Sequence, residues 1–110
     1  MTDYIQVLTT IERREDAEAI ARALVEERLA ACVQIVGPIT SIYRWQGNIN
    51  TAQEWQCSAK SRRDLYNRIE EAIRRLHPYQ VPEIIAIDVA AGSAEYLGWL
   101  DEEVGELKKR

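Results

Sequence analysis

The stretch ACVQIVGPITSIYRWQGNINTAQEWQCSAK, residues 31–60, decides the fold of this 110-residue chain. It contains two strand-like runs, residues 31–46 and 49–60. Between them lie Gly47 and Asn48, a pair suited to a tight turn. Two apolar, β-branched runs joined by such a turn predict an antiparallel β-hairpin.

This hairpin is expected to be too long for a domain of this size to cover. Its first run exceeds the usual strand length of about five or six residues, and Gly37 and Pro38 predict a bulge or bend within it. We expect the hairpin to overhang the domain, with Tyr43, Trp45 and Trp55 at its tip. A projecting hairpin has two open edges, so we also expect it to pair with another copy of the chain.

Helices and strands are predicted on both sides of the hairpin. Apolar residues at spacings of three and four predict the helices, and β-branched runs predict the strands. Ser61, followed three residues later by Asp64, resembles a helix start with Ser61 as the cap. The predicted elements outside the hairpin are a strand at Tyr4–Ile11, a helix at 14–28, a helix at 62–76, a strand at 83–91 and a helix at 94–107.

The predicted order is βαββαβ followed by a C-terminal helix. Two right-handed βαβ halves of this kind interlock in one antiparallel sheet with helices on one face. The sequence therefore predicts an α+β, ferredoxin-like sandwich with a long central hairpin. A length of 110 residues fits one domain, residues 1–110. This architecture carries many unrelated functions, so function has to be argued from particular residues.

Composition excludes some partners. The net charge of -4 argues against nucleic-acid binding, which requires a basic face for phosphates. No basic segment followed by an apolar run is visible at the N-terminus, and no apolar stretch approaches membrane-spanning length. We therefore expect a cytoplasmic protein with reduced thiols and no membrane partner.

His77 is the one histidine of the chain and stands in the segment HPYQVPE, residues 77–83. Two prolines hold this segment in a defined shape. Histidine is the commonest metal ligand, but a histidine that ends a helix also often donates to a carbonyl group. Both interpretations stay open. Cys32 and Cys57 are each interpreted as small buried hydrophobes or as thiolate ligands that could complete a copper or zinc site with His77.

Signals of catalysis are weak. Any nucleophile–histidine pair would need His77, and neither Ser41 nor Ser61 lies in a nucleophile elbow. The five glycines are scattered singly, which argues against a phosphate-binding loop. We expect a binding and assembly protein rather than an enzyme.

Specific blocks of residues are spread along nearly the whole chain. They are ERLAACV at 27–33, SIYRWQG at 41–47, Glu54, Lys60, HPYQVPEI at 77–84 and YLGWL at 96–100. Together and in this order they resemble the CutA family of divalent-cation tolerance proteins.

The resemblance implies a homotrimer of ferredoxin-like protomers, similar in architecture to PII signalling proteins, in which the long hairpins pair between neighbours. It also implies a role in tolerance of copper and other divalent cations. Some members are similar to copper binders with a first-strand cysteine and a His-His pair. At those positions this chain has Thr9, Leu76 and His77, so His77 and Cys32 are the candidate metal ligands.

The resemblance further implies a cleft between subunits, which either binds a ligand or only packs the interface. Three functions follow as hypotheses: a trimeric protein that binds copper or another divalent cation, a PII-like signalling trimer that binds a small ligand or a partner protein, and a purely structural trimer. The candidate cleft residues are Tyr43, Trp45, Glu54, Lys60, Tyr79 and Glu83.

Overall fold

The computed structural model describes residues 3–106 and has an α+β architecture. The predicted end of the third helix at Leu107 lies outside the described residues. The strand order in the sheet is β2-β3-β1-β4, and all neighbouring strands are antiparallel, which confirms the predicted ferredoxin-like topology. The elements are β1 (Tyr4–Ile11), α1 (Arg14–Glu26), β2 (Cys32–Trp45), β3 (Asn48–Arg62), a 3₁₀ turn (Arg63–Leu65), α2 (Tyr66–Leu76), β4 (Ile85–Asp88) and α3 (Ala94–Glu103).

The core lies between one face of the sheet and the helices α1 and α2. Because side chains alternate along a strand, every second residue of β1 faces these helices. On α1 the buried positions are Ala17, Ile20 and Leu24, at the spacing that the sequence predicted. Val25 is 44% exposed, so the apolar stripe of α1 is narrower than predicted.

The hairpin projects from this core, as predicted. The last residue of β1, Ile11, pairs with Trp55, and beyond that point β2 and β3 continue as a two-stranded ribbon within the described chain. The molecule measures 53 Å along its longest axis and 25 and 22 Å across. Trp55 was expected at the tip, which is wrong. It lies at the base of the ribbon, packed against the core, with the Arg14 guanidinium 5.1 Å from its ring centroid.

The turn and the bulge follow from local backbone geometry. Gln46 and Gly47 both have positive φ, 50° and 82°, as a two-residue type I′ turn requires. The predicted turn pair was therefore placed one residue too late. The pairing register of β2 with β3 shifts between Val36 and Ile39, which confirms the bulge predicted there.

Ser61 does not cap a helix. It belongs to β3, is fully buried, and donates a hydrogen bond from Oγ to the Leu29 carbonyl at 2.6 Å. The strand continues through this residue because Ile5 and Tyr4 of β1 still pair with Ser61 and Arg62. Pairing with β1 therefore overrides the local capping pattern, and α2 begins only after the 3₁₀ turn.

Arg28 connects the end of α1 to the end of α3. Its φ of 59° stops α1 two residues earlier than predicted. Its guanidinium donates to the carbonyls of Glu102 and Gly105 at 2.7 and 2.8 Å, and the Gly105 amide donates back to the Arg28 carbonyl. These bonds, together with the Tyr4 hydroxyl donating to Asp101, hold α3 on the sheet.

Gly37 lies so close to Trp55 that a larger residue requires the indole to shift. A Cβ atom at position 37 would stand 2.6 Å from Cε3 of Trp55. We predict that Gly37→Ala destabilises the chain by about 1–3 kcal/mol, because the indole is packed against the core and has to shift. Urea denaturation followed by tryptophan fluorescence measures the change. Gly98→Ala is the control, since a Cβ there meets no atom within 4 Å. Equal stability of Gly37→Ala and wild type would contradict the close packing.

Candidate functional site

His77 anchors the loop that follows α2. It is 8% exposed, and its Nε2 lies 2.8 Å from the Thr10 carbonyl oxygen. Its Nδ1 lies 3.2 Å from the Tyr79 amide nitrogen. A carbonyl only accepts and an amide N–H only donates, so Nε2 carries the proton and Nδ1 accepts. Both ring nitrogens are therefore engaged in hydrogen bonds within the chain.

The anchored loop places Tyr79 against a buried carboxylate. The Tyr79 hydroxyl donates to Oε2 of Glu54 at 2.8 Å, and Glu54 is 6% exposed. Desolvation by burial, and then the bond to Glu54, raise the pKa of the Tyr79 hydroxyl. The phenol therefore remains a protonated donor to the Glu54 carboxylate at neutral pH.

A second carboxylate completes this arrangement. Glu83 lies beside Glu54, and its pKa is raised by desolvation and by the charge of Glu54. The negative charge of Glu12 and the nearby Tyr43 also act on Tyr79. We call Glu54, Tyr79 and Glu83 the acidic cleft. It lies at the base of the ribbon, where Glu54 pairs with Ile39 just after the bulge.

Lys60 lies far from the acidic cleft within one chain. Lys60 and Glu54 are six residues apart on β3, so they share one face of the sheet at a separation of about 20 Å. Trp45 pairs with Asn48, which places it about 20 Å from Glu54 in the opposite direction, at the tip of the ribbon. The structure thus brings together Tyr43, Glu54, Tyr79 and Glu83 of the predicted cleft and leaves Lys60 and Trp45 apart from them.

The candidate metal ligands do not meet within one chain. Cys32 pairs with Lys60, whereas His77 binds Thr10, which pairs with Gln56. Four residues of β3 separate these positions, about 13 Å along the strand. Residues 3–106 contain no group of three or more histidine, cysteine, aspartate or glutamate side chains that could hold a metal ion.

The side chains of residues 3–106 therefore do not form a tight metal site within one chain. Thr9 faces the core, 1% exposed, and Leu76 is 38% exposed at the end of α2. Cys57 is buried, and burial raises the pKa of its thiol to about 11, so it remains protonated at neutral pH. Metal binding by His77 and Cys32 stays a prediction.

Glu12 is the member of this region that the sequence interpretation missed. It follows β1 directly, and Ile11 pairs with Trp55, the neighbour of Glu54. Pairing β1 with β3 in the correct register would have placed Glu12 near the base of the hairpin. The hydrophobic alternation of β1 indicates that register, but it does not show at which residue the pairing of β1 with β3 ends.

The family model and the relatives most similar in sequence all carry the name CutA or CutA1. The model of the family "CutA1 divalent ion tolerance protein" matches residues 5–103. The chain is 50% identical over 99 residues to the divalent-cation tolerance protein CutA of Thermus thermophilus, which covers 90% of this chain and 96% of that protein. It spans about half the length of several plant and animal relatives that it matches.

Solved structures of CutA proteins share the fold of this chain. CutA1 from Oryza sativa superposes with a TM-score of 0.92 at 35% identity, covering 96% of each chain. CutA from Archaeoglobus fulgidus, described as periplasmic, gives a TM-score of 0.90 at 36% identity over 93% of this chain and 99% of that one. A cytoplasmic location therefore stays a prediction for the present chain. Within residues 3–106 no helix is long and apolar enough to cross a membrane.

The hydrogen bond between Tyr79 and Glu54 gives a direct test of the acidic cleft. We predict that Tyr79→Phe lowers the free energy of unfolding by about 1–3 kcal/mol, because it leaves a buried carboxylate without its donor. The control is Tyr43→Phe, which removes a hydroxyl from a side chain that is 45% exposed. Both are measured by urea denaturation at neutral pH. Equal effects of the two substitutions would show that the buried bond does not stabilise the fold.

Proposed function

The chain belongs to the CutA1 divalent ion tolerance family, and from this premise we propose that it is a non-catalytic homotrimer that acts in divalent-cation tolerance. Its relatives are named as tolerance proteins and not as enzymes. We place the ligand-binding site between copies of the chain, next to the acidic cleft of each copy. The observation that carries it is the two-stranded ribbon, which has no cover within the described chain.

The exposure of the ribbon supports assembly. Ile42 and Ile49 are 71% and 68% exposed, and Tyr43 and Trp45 expose more than a third of their surface. Burying a large apolar side chain contributes about 1.5–3 kcal/mol, so covering such a ribbon with a second copy is strongly favourable. In the described residues β2 and β4 are also the edges of the sheet, and each has an unpaired side for a neighbouring strand.

The cation hypothesis rests on the family and on the carboxylates. Oxygen ligands such as Glu54 and Glu83 suit divalent cations, and ligands from a second copy would raise their number. Copper is the first metal to test, because the resemblance implies it. Zinc is the second, because thiolate and imidazole ligands together suit it. The hydrogen bonds at both nitrogens of His77 make the carboxylates the better candidates within one chain.

A second candidate function is favoured by the same observation on His77. If its ring is structural, the loop HPYQVPE serves to present Tyr79 and Glu83 to a cleft. Such a cleft would suit a PII-like module that binds a small ligand or a partner protein. Thermal-shift screening distinguishes the candidates, because a ligand that binds the folded state raises the melting temperature. Stabilisation by metal ions without stabilisation by nucleotides or metabolites would favour the cation hypothesis.

The assembly has a simple test. We predict that light scattering after size exclusion gives three times the chain mass for the wild type. Ile42→Asp is expected to lower that mass, because it places a charge on the ribbon surface that a copy covers. Ala19→Asp is the matched control on the exposed side of α1 and should leave the mass unchanged. A folded wild-type monomer at micromolar concentration would contradict the proposal.

The role of His77 is tested separately. We predict that His77→Ala lowers the free energy of unfolding by about 1–3 kcal/mol, because the Thr10 carbonyl and the Tyr79 amide lose their partner. Titration calorimetry with Cu²⁺ and Zn²⁺ is expected to give the same affinities for wild type and variant, since neither nitrogen is free. Loss of binding in the folded variant would return His77 to the metal site.

A further inference from the structure

Lys60 carries a positive charge that is held in place by neutral groups. Its Nζ donates to Oε1 of Gln34 at 3.0 Å and to Oγ of Ser58 at 3.1 Å. The Ser58 hydroxyl also accepts from the Gln6 amide. An ammonium group has three N–H donors. One donor of Lys60 is therefore left over, and residues 3–106 offer it no carboxylate within ion-pair distance.

The complementary charge lies at the other end of the same face. Glu54 and Glu83 make no ion pair within residues 3–106, and Glu54 has the Tyr79 hydroxyl as its donor. The separation of about 20 Å along β3 prevents Lys60 from reaching them in its own chain. Within residues 3–106, this face thus carries Lys60 at one end and Glu54, with Glu83 nearby, at the other, and none of the three is in an ion pair.

Apolar side chains accompany these charges. Ile87 pairs with Gln6 and Ile85 pairs with Leu8, so both isoleucines lie on the face that carries Lys60. They are 47% and 48% exposed, which leaves them uncovered in the single chain. A copy that covers them also removes water from Lys60. Burying an unpaired ammonium is unfavourable unless a carboxylate pairs with it.

We propose that Lys60 of each copy donates to the Glu54–Glu83 carboxylate pair of the next copy in the assembly. This inference rests on the proposed homotrimer and names a contact that would fix how its subunits are arranged. Each chain presents one cationic and one acidic end, so a head-to-tail contact repeats from copy to copy, and in the proposed homotrimer it closes into a ring of three. Desolvation by burial and then repulsion from Glu54 raise the pKa of Glu83, and the neighbouring ammonium would oppose that repulsion.

Charge reversal tests the contact. Lys60→Glu and Glu83→Lys are expected to weaken the trimer by about tenfold or more each, because both create a like-charge contact between copies. The double variant Lys60→Glu/Glu83→Lys is expected to recover part of the affinity, since positions 60 and 83 again carry opposite charges while Glu54 keeps its negative charge. Sedimentation equilibrium over a dilution series measures the dissociation constants, and circular dichroism checks that each variant folds.

Two milder variants distinguish loss of the Lys60 contact from a general folding defect. Lys60→Met removes the charge but keeps a long side chain, and it should weaken the trimer and reduce its sensitivity to salt. Arg68→Met removes a positive charge from the exposed side of α2, on the helix side of the sheet, and it should leave the dissociation constant within about twofold of wild type.

The outcomes separate the inference from the proposed function. A wild-type trimer whose dissociation is unchanged in folded Lys60→Met would overturn the Lys60 contact and leave the trimer standing. Failure of the double reversal to recover affinity, with both single variants weakened, would also overturn it. A monomeric wild type would remove both proposals together.

Discussion

The pairing of β3 with two neighbours determines the rest of this structure. β3 pairs with β2 from Asn48 up to Lys60, apart from the bulge, but with β1 only from Trp55 to Arg62. Where β1 ends, at Ile11, the sheet narrows to two strands and the helices no longer cover it. This single register explains why the core stops at Trp55 and why the remaining ribbon exposes apolar side chains on both faces.

The same boundary positions the acidic cleft. Glu54 is the residue next to Trp55, so it stands where core meets ribbon and is buried without being inside the core. A buried carboxylate needs a donor, and the loop after α2 supplies the Tyr79 hydroxyl. That loop is in turn fixed by His77, whose ring is hydrogen-bonded to the Thr10 carbonyl near the end of β1. The position of the acidic cleft therefore depends both on where β1 ends and on how His77 anchors the loop after α2.

Sequence patterns predicted those features that depend on neighbouring residues. The β-branched and apolar residues of Tyr4–Ile11 predicted the bounds of β1, and helical spacing predicted most of the buried stripe of α1. Features that depend on distant pairing were predicted less well. Ser61 had the local pattern of a cap but is held in a strand by β1, and Trp55 resembled a tip residue until the end of β1 was known. Likewise, a lone histidine was compatible with metal binding or with structure, because its partners lie 67 and two residues away.

Cation binding at the acidic cleft and the proposed Lys60 contact between copies use the same two carboxylates. Glu54 and Glu83 can be neutralised by a divalent cation or by the ammonium of a neighbouring Lys60, but two such cations in one small cleft would repel each other. If Lys60 closes the ring, a metal ion that enters the cleft has to displace it and thereby weakens the contact between copies. Cation binding and assembly would then be coupled with negative sign, and by linkage a tighter ring would bind the ion less well. The ammonium and the divalent cation would therefore compete for the same two carboxylates.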